Sequence, residues 1–241
     1  MKIENDVSNI LGNSRIEGNC LYLPEGQLER KLYLKVNQVL EAIHGKWNRK
    51  VKAHIFNESP SDILEEILLT GEYTNQKKEY QFFETPENIA LQLIELANIQ
   101  KGETILEPSA GKGAIAKFMK GCDCVELNEE NRTYLIENNF NLVGKDFLEF
   151  SNKYDVIIAN PPFSKQQDIT HVEHMMELAP KVVSVMSSSV LFRTNKKTVN
   201  FRNEVKSLNG KFIKLPEKSF AESGTNVNAC ILLIDLNGFG E

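Results

Sequence analysis

Four consecutive residues, Asn160-Pro161-Pro162-Phe163, close an apolar run, Val156-Ile157-Ile158-Ala159, that has the composition of a buried strand. Neither proline can donate to a ladder, and a residue before proline is driven to extended backbone, so the chain must leave the sheet here. The corner offers acceptors without competing N–H donors: the Asn160 side-chain oxygen and the Pro161 carbonyl can both accept from one NH2 group. An amine conjugated to a flat ring is a poor nucleophile because its lone pair is delocalised. Two acceptors that draw its protons out of the plane favour a tetrahedral nitrogen whose lone pair can attack an in-line methyl. Holding the two partners in near-attack geometry supplies part of the roughly 7–11 kcal/mol available to well-oriented pairs. Phe163 gives the ring a face to stack on, worth about 1–3 kcal/mol. A plainer reading keeps Asn-Pro-Pro as a turn and Phe163 as core.

A second constellation lies upstream in Ile105-Leu106-Glu107-Pro108-Ser109-Ala110-Gly111-Lys112-Gly113. Glycines between a strand and its helix permit positive φ and close backbone approach to a ligand. The spacing Gly111-x-Gly113-x-x-Ala116 also fits the loose dinucleotide fingerprint, so an NAD site competes, as does a tight turn without ligand. Glu107 tilts the choice, since a carboxylate there accepts from an ammonium and repels a pyrophosphate. Glu126, at the end of the next candidate strand, can take both hydroxyls of a ribose or be a solvated strand end. A nucleoside carrying an amino acid and no phosphate satisfies both acids, and S-adenosylmethionine is such a ligand.

These residues need a frame. From Glu84 onward short apolar runs alternate with helical ones. Strands are expected at Thr104–Glu107, Cys122–Leu127, Asn141–Val143, Asp155–Ala159, Val182–Met186, Phe212–Leu215 and Asn228–Ile234. The helices are expected in TPENIALQLIELANI, GAIAKFMK, EENRTYLIENN, ITHVEHMMELA and KKTVNFRNEVKSL. The last two strands have no room for a helix between them and should form a hairpin. The whole predicts an α/β, doubly wound, mostly parallel seven-stranded sheet with an antiparallel final strand, with its ligand at the carboxyl ends of the strands. Residues 1–80 read as a separate, mainly helical region, with residues 81–241 as the catalytic domain. Leu28, Leu32, Val36, Val39, Leu40 and Ile43 share one helical face, and SPSDILEEILL opens a second helix with a Ser cap and an early Pro. A polar hinge, TNQKKEYQ, follows.

With these motifs in order, the chain resembles the amino-methyltransferases that modify exocyclic amines, in particular DNA adenine-N6 methyltransferases of the gamma motif order. The resemblance covers roughly residues 82–236 and implies a Rossmann-like class I methyltransferase fold. FFETP is similar to the family's opening motif, which would put Thr85 and Pro86 near the methionine carboxylate of the cofactor. EPSAGKG would place Glu107, Ser109, Ala110, Gly111 and Gly113 around the methionine moiety. Glu126, followed by Leu127, matches the ribose acid. In KDFLEF, Asp146 would bond the cofactor's adenine amine and Phe147 would pack on that ring. Asn160, Pro161, Pro162 and Phe163 match the catalytic motif, with Asn160 also near the cofactor. The tail PEKSFAESGTNVNACILLI is similar to the late motif, in which Phe220 would touch a flipped base together with Phe163. The implied cofactor is S-adenosylmethionine, leaving S-adenosylhomocysteine.

Many enzymes of this order carry a large recognition domain after the last strand, whereas this chain stops at Glu241. Recognition is therefore expected from the first eighty residues, from SKQQDITH after Phe163, or from FRTNKKTVNFR. Overall charge is −5, which argues against a nucleic-acid partner, but Leu28–Phe56 carries seven basic and two acidic residues. Lys46, Trp47, Arg49, Lys50 and Lys52 in GKWNRKVKAHIF are expected to contact a nucleic-acid backbone, the alternative being a solvated face with Trp47 buried. DNA is the expected partner. RNA amines and protein glutamine are the alternatives, the glutamine enzymes usually carrying Tyr in place of Phe163. A nucleic-acid-binding protein without catalysis is the third reading. The short helical plan resembles stand-alone enzymes of phages and mobile elements, and any restriction enzyme would be a separate chain. Cys20, Cys122, Cys124 and Cys230 lack a C-x-x-C spacing, and His44, His54, His171 and His174 supply no complete ligand set, so no metal is expected. No run of 18 apolar residues exists and the N-terminus lacks a signal pattern, so a cytoplasmic protein is expected.

Overall fold

The computed structural model describes residues 2–73, 83–225 and 227–236. The expected hinge, residues 74–81, lies outside the described residues.

The N-terminal part contains α1 (Asn5–Gly12), β1 (Arg15–Glu17), β2 (Cys20–Tyr22), α2 (Arg30–Ala42), β3 (Lys46–Asn48), β4 (Ala53–Ile55) and α3 (Ser61–Thr70). The expected apolar face of α2 buries Val36, Val39 and Leu40, which pack with Val7 and Leu11 of α1 and Leu64 and Ile67 of α3. Two of the three helices, α2 and α3, were legible, and α1 was not. The antiparallel sheet of order β1-β2-β4-β3 was not legible either, and it joins the longer helices of this part. Each of these strands is only three residues long, too short for a two-residue alternation to show. The basic stretch GKWNRKVKAHIF thus becomes a β-hairpin, with Trp47 paired to His54.

The second part contains α4 (Glu87–Ala97), β5 (Ile105–Pro108), β6 (Asp123–Val125), α5 (Glu129–Glu137), β7 (Asn141–Gly144), β8 (Val156–Ala159), α6 (Gln167–Leu178), β9 (Lys181–Ser187), α7 (Lys196–Ser207), β10 (Lys211–Lys214) and β11 (Ala229–Asp235). Their sheet has the order β7-β6-β5-β8-β9-β11-β10. The pairs from β7 to β9 are parallel, while β11 runs antiparallel to both β9 and β10. All seven expected strands are present, as is the closing antiparallel pair.

Side chains alternate across these strands because successive residues face opposite sides. Ile105, Val156, Ile158, Val183, Val185 and Ile231 pack towards α4. Leu106, Ile157, Ala159, Val182, Leu232 and Ile234 pack with the apolar face of α6 and with Phe201 and Val205 of α7. Helices on both faces explain why the strands read as continuous apolar runs. One expected helix, GAIAKFMK, is reduced to a single 3-10 turn, Ala116–Phe118.

The N-terminal part packs where β9 ends and β11 begins. Asn228 N donates to Leu69 O at 2.6 Å, Thr194 N donates to Asn13 Oδ1 at 2.7 Å, and Arg193 pairs with Glu65 at 2.7 Å. Ala229 faces Ser187 in the ladder, so these contacts lie at the carboxyl end of the parallel strands.

Candidate active site

The order reverses between β5 and β8, the first and fourth strands of the large sheet, and a cleft of about 640 Å³ opens at their carboxyl ends. It is lined by Ser109, Glu126, Leu127, Asp146, Phe147, Asn160, Pro161, Pro162 and Phe163 among the expected residues. One cleft therefore collects the ends of four strands, β5, β6, β7 and β8.

Asn160 is held firmly. Its Nδ2 donates to Thr85 Oγ1 at 3.0 Å and to the Phe83 carbonyl at 3.2 Å. A carbonyl only accepts, so the NH2 end of the amide is committed to these partners and Oδ1 is left as the acceptor. Thr85 is buried and sits just before Pro86, which precedes the first turn of α4. Neither Thr85 nor Pro86 lines the cleft, and Thr85 acts here on Asn160.

Beyond the corner the backbone is strained: Lys165 and Gln166 both have positive φ, 54° and 58°. Left-handed backbone costs a residue with a Cβ about 1–2 kcal/mol. The bend is braced by Thr198 Oγ1 donating to Gln166 Oε1 at 2.8 Å and Lys197 Nζ donating to Gln166 O at 3.1 Å.

Glu126 is a buried carboxylate with two backbone donors: Gly111 N to Oε2 and Asn128 N to Oε1, both at 2.7 Å. Each oxygen keeps a second lone pair. Glu107 is placed differently from the expectation. It is buried away from the cleft lining, and its Oε2 accepts from Ala116 N at 2.6 Å. Burial, with Cys124 nearby, pushes its carboxyl well above the usual carboxylate range.

Ala110, Gly111 and Gly113 do not line the cleft either, and the glycines have other reasons to be there. Gly111 has φ 56° and gives its N–H to Glu126. Gly113 has φ 77°, and a Cβ there would stand 2.6 Å from the Phe140 ring. The loop also crosses the end of β6, where Ser109 N and Ala110 N both donate to Val125 O. This arrangement disfavours a dinucleotide. The Gly111 and Ala116 donors are taken by carboxylates, and a 3-10 turn offers no helix N-terminus to hold a pyrophosphate.

Asp146 Oδ1 accepts from Leu148 N at 3.0 Å. Phe147 is buried, and its ring stacks on His171 at 5.9 Å and meets His174 edge-on at 4.9 Å. Phe220 does not join the cleft; it is fully buried in the core beside α4. Lys46, Arg49, Lys50 and Lys52 are exposed on the β3–β4 hairpin, and Trp47 is 46% exposed, against the alternative that buried it. Asn48 Oδ1 accepts from Lys50 N and Val51 N, which fixes the hairpin tip.

Sequence reasoning missed Lys112, Asn128, Lys145 and His171 as cleft residues, and the Phe83 carbonyl as a support of Asn160. Asn128 carried a signal, since it caps α5 by accepting from Asn131 N. A backbone carbonyl carries none. Cys122, Cys124 and Cys230 are buried and Cys20 is partly exposed. Among the described residues no helix is long and apolar enough to cross a membrane.

No family model and no curated protein matches the chain. Solved structures do. The M protein of the type I restriction enzyme EcoKI superposes with a TM-score of 0.52 at 15% identity, covering 94% of this chain and 56% of that one. A modification subunit assigned to a type I restriction enzyme of Vibrio vulnificus YJ016 gives 0.52 at 15% identity, covering 88% and 51%. The chain thus spans about half the length of these two proteins. At such identity the likeness shows the fold: a Rossmann-like class I methyltransferase sheet.

Proposed function

We propose that the chain transfers a methyl group from S-adenosylmethionine to the N6 amine of an adenine in DNA, with the base swung out of the duplex into the Asn160–Phe163 corner. The observation that carries this reading is the Asn160 amide. Its NH2 end is occupied by Thr85 and Phe83, so its oxygen is the group left to accept from a substrate amine. Pro161 lines the same cleft and supplies a carbonyl that no ladder uses. These two acceptors draw the amine protons out of the ring plane, localise the nitrogen lone pair, and let a proton pass to water once the nitrogen is alkylated. Phe163 lines the cleft from within the core beside α4, at 4% exposure, so the base would meet it as part of the cleft wall and not as a free stacking face. The few kcal/mol lost on unstacking the base are offset by these contacts.

S-adenosylmethionine, when bound, supplies a methyl group on a sulfonium sulfur. The cleft residues suit it. The cavity lies within the roughly 300–1,000 Å³ of small-ligand sites, and Glu126 keeps a lone pair on each oxygen for the ribose hydroxyls. Leu127 and Leu148, 62% and 46% exposed at the cleft, are apolar surfaces that a purine would cover. Thr85 holds Asn160 and Gly111 holds Glu126 from behind, while Ser109 and Lys112 of the same loop border the cleft.

For the DNA partner, the support is the β3–β4 hairpin. Lys46, Arg49, Lys50 and Lys52 lie within seven residues that hold no acid, and none of the four forms an ion pair among the described residues. Exposed cations beside an exposed indole suit a phosphate backbone.

The test is incubation with labelled S-adenosylmethionine and duplex DNA, structured RNA or cell extract. Label recovered as N6-methyladenine in DNA, and lost in Asn160→Ala, is the expected result. Label in RNA or protein alone rejects the DNA reading.

A further inference from the structure

We propose that His171 is a binding residue of the cleft: its Nε2 accepts from the exocyclic amine of the cofactor's adenine and, with Asp146, selects a 6-aminopurine over a 6-oxopurine. The inference rests on the S-adenosylmethionine reading above and adds a residue and a selectivity to it.

His171 lies in the first half of α6, buried to 9% exposure, and lines the cleft together with Asp146, Phe147 and Gln167. Its Nδ1 is 2.9 Å from the carbonyl of Gln167. A carbonyl only accepts, so Nδ1 carries the proton. Burial lowers the imidazole pKa below its ordinary value, which keeps the ring neutral and leaves Nε2 with a lone pair. No described residue bonds Nε2. The stack on Phe147 fixes the ring plane, and His174 buttresses Phe147 from its edge. The charged or titratable groups that face His171 are Asp146, His174 and Lys197. The Lys197 ammonium is engaged with Gln166 O and, at 2.6 Å, with Thr170 Oγ1. Asp146 spends Oδ1 on Leu148 N, which leaves its second oxygen for a ligand.

Two acceptors on different elements, one anionic and one neutral, therefore border the same wall of the cleft. A 6-amino group has two N–H donors, one for each. A 6-oxo group would set a third acceptor against them, which is the stronger basis of discrimination.

The experiment is calorimetric titration of the protein with S-adenosylhomocysteine and with its 6-oxo analogue, S-inosylhomocysteine. His171→Phe keeps a ring against Phe147 and removes the acceptor. It is expected to weaken S-adenosylhomocysteine about tenfold, the scale of one lost hydrogen bond, and to narrow the preference over the inosine analogue. His171→Gln returns an acceptor oxygen and should recover most of the preference. A folded His171→Phe that binds both ligands as the wild type does overturns the proposal. Should both variants unfold, the imidazole 15N shift of wild-type His171 decides: Nε2 must move on addition of S-adenosylhomocysteine, and a shift that stays put overturns it. A wild-type protein that binds neither ligand fails earlier, at the cofactor reading itself.

Discussion

Thr85 Oγ1 lies 3.0 Å from Asn160 Nδ2, a contact between residues 75 apart in sequence that decides which end of the amide is left to act. Without the hydroxyl, the amide keeps only the Phe83 carbonyl at 3.2 Å. Thr85→Val removes the acceptor at nearly constant volume, so turnover should fall about tenfold, the cost of one buried hydrogen bond. Thr85→Ser, which keeps the hydroxyl, should retain it. On the proposed function the loss belongs in kcat, because there the oxygen of Asn160 acts on the reacting amine. Steady-state kinetics check this, and a change confined to KM for the cofactor would mean that Thr85 serves the ligand and not the amide.

Gly113 offers a test of the loop that is independent of chemistry. A Cβ at φ 77° costs about 1–2 kcal/mol, and the Phe140 ring 2.6 Å away must move as well, adding about 1–3 kcal/mol. Gly113→Ala should lower Tm by roughly 4–20 °C on the scale of about 2–4 °C per kcal/mol. Gly18→Ala is the control: φ is 59° with nothing within 4 Å, so its loss should be limited to the backbone cost. Equal losses in scanning calorimetry would remove Phe140 from the explanation.

The large sheet was legible because burial on both faces writes each strand as an apolar run, and its corner because prolines and glycines announce their backbone. Val156–Ala159 followed by Asn160 and Pro161 is an example of both. The N-terminal sheet was hidden because Arg15–Glu17, Cys20–Tyr22, Lys46–Asn48 and Ala53–Ile55 are each too short to show a period. GAIAKFMK looked helical from its composition, but Gly113 at positive φ and the Glu107 bond to Ala116 N hold it as one 3-10 turn. The roles of Thr85, Phe83 and His171 depend on which side chain or carbonyl meets which across the fold, and local sequence does not encode that.

The hairpin reading predicts a signature in salt. Neutralising one phosphate contact flattens the slope of log K against log salt by about 0.9 for duplex DNA. Single Gln substitutions at Lys46, Arg49, Lys50 and Lys52 should each lower DNA affinity alike across sequences and reduce that slope. The affinity for S-adenosylhomocysteine should stay as it is. Fluorescence anisotropy from low to moderate salt makes the measurement, and slopes identical to wild type would move the DNA contact elsewhere.

Asp168 couples the segment after the corner to the end of β9. Its Oδ2 accepts from Ser187 N at 2.9 Å and its Oδ1 from Ile169 N at 3.0 Å. Burial nevertheless pushes its pKa up to about 7, with Ser187, Ile169 and Arg193 opposing and Glu65 assisting. In the unfolded chain an aspartate loses its proton near about 3.9. Between roughly pH 4 and 7 the native state therefore binds the extra proton, and stability must fall as pH rises through that window and level off above it. Asp168→Asn cannot titrate. The stability of the wild type relative to this variant should thus decline by several kcal/mol from pH 4 to 7, read from urea unfolding at each pH. Parallel curves would mean that Asp168 is ionised in the native protein, with Arg193 outweighing its burial.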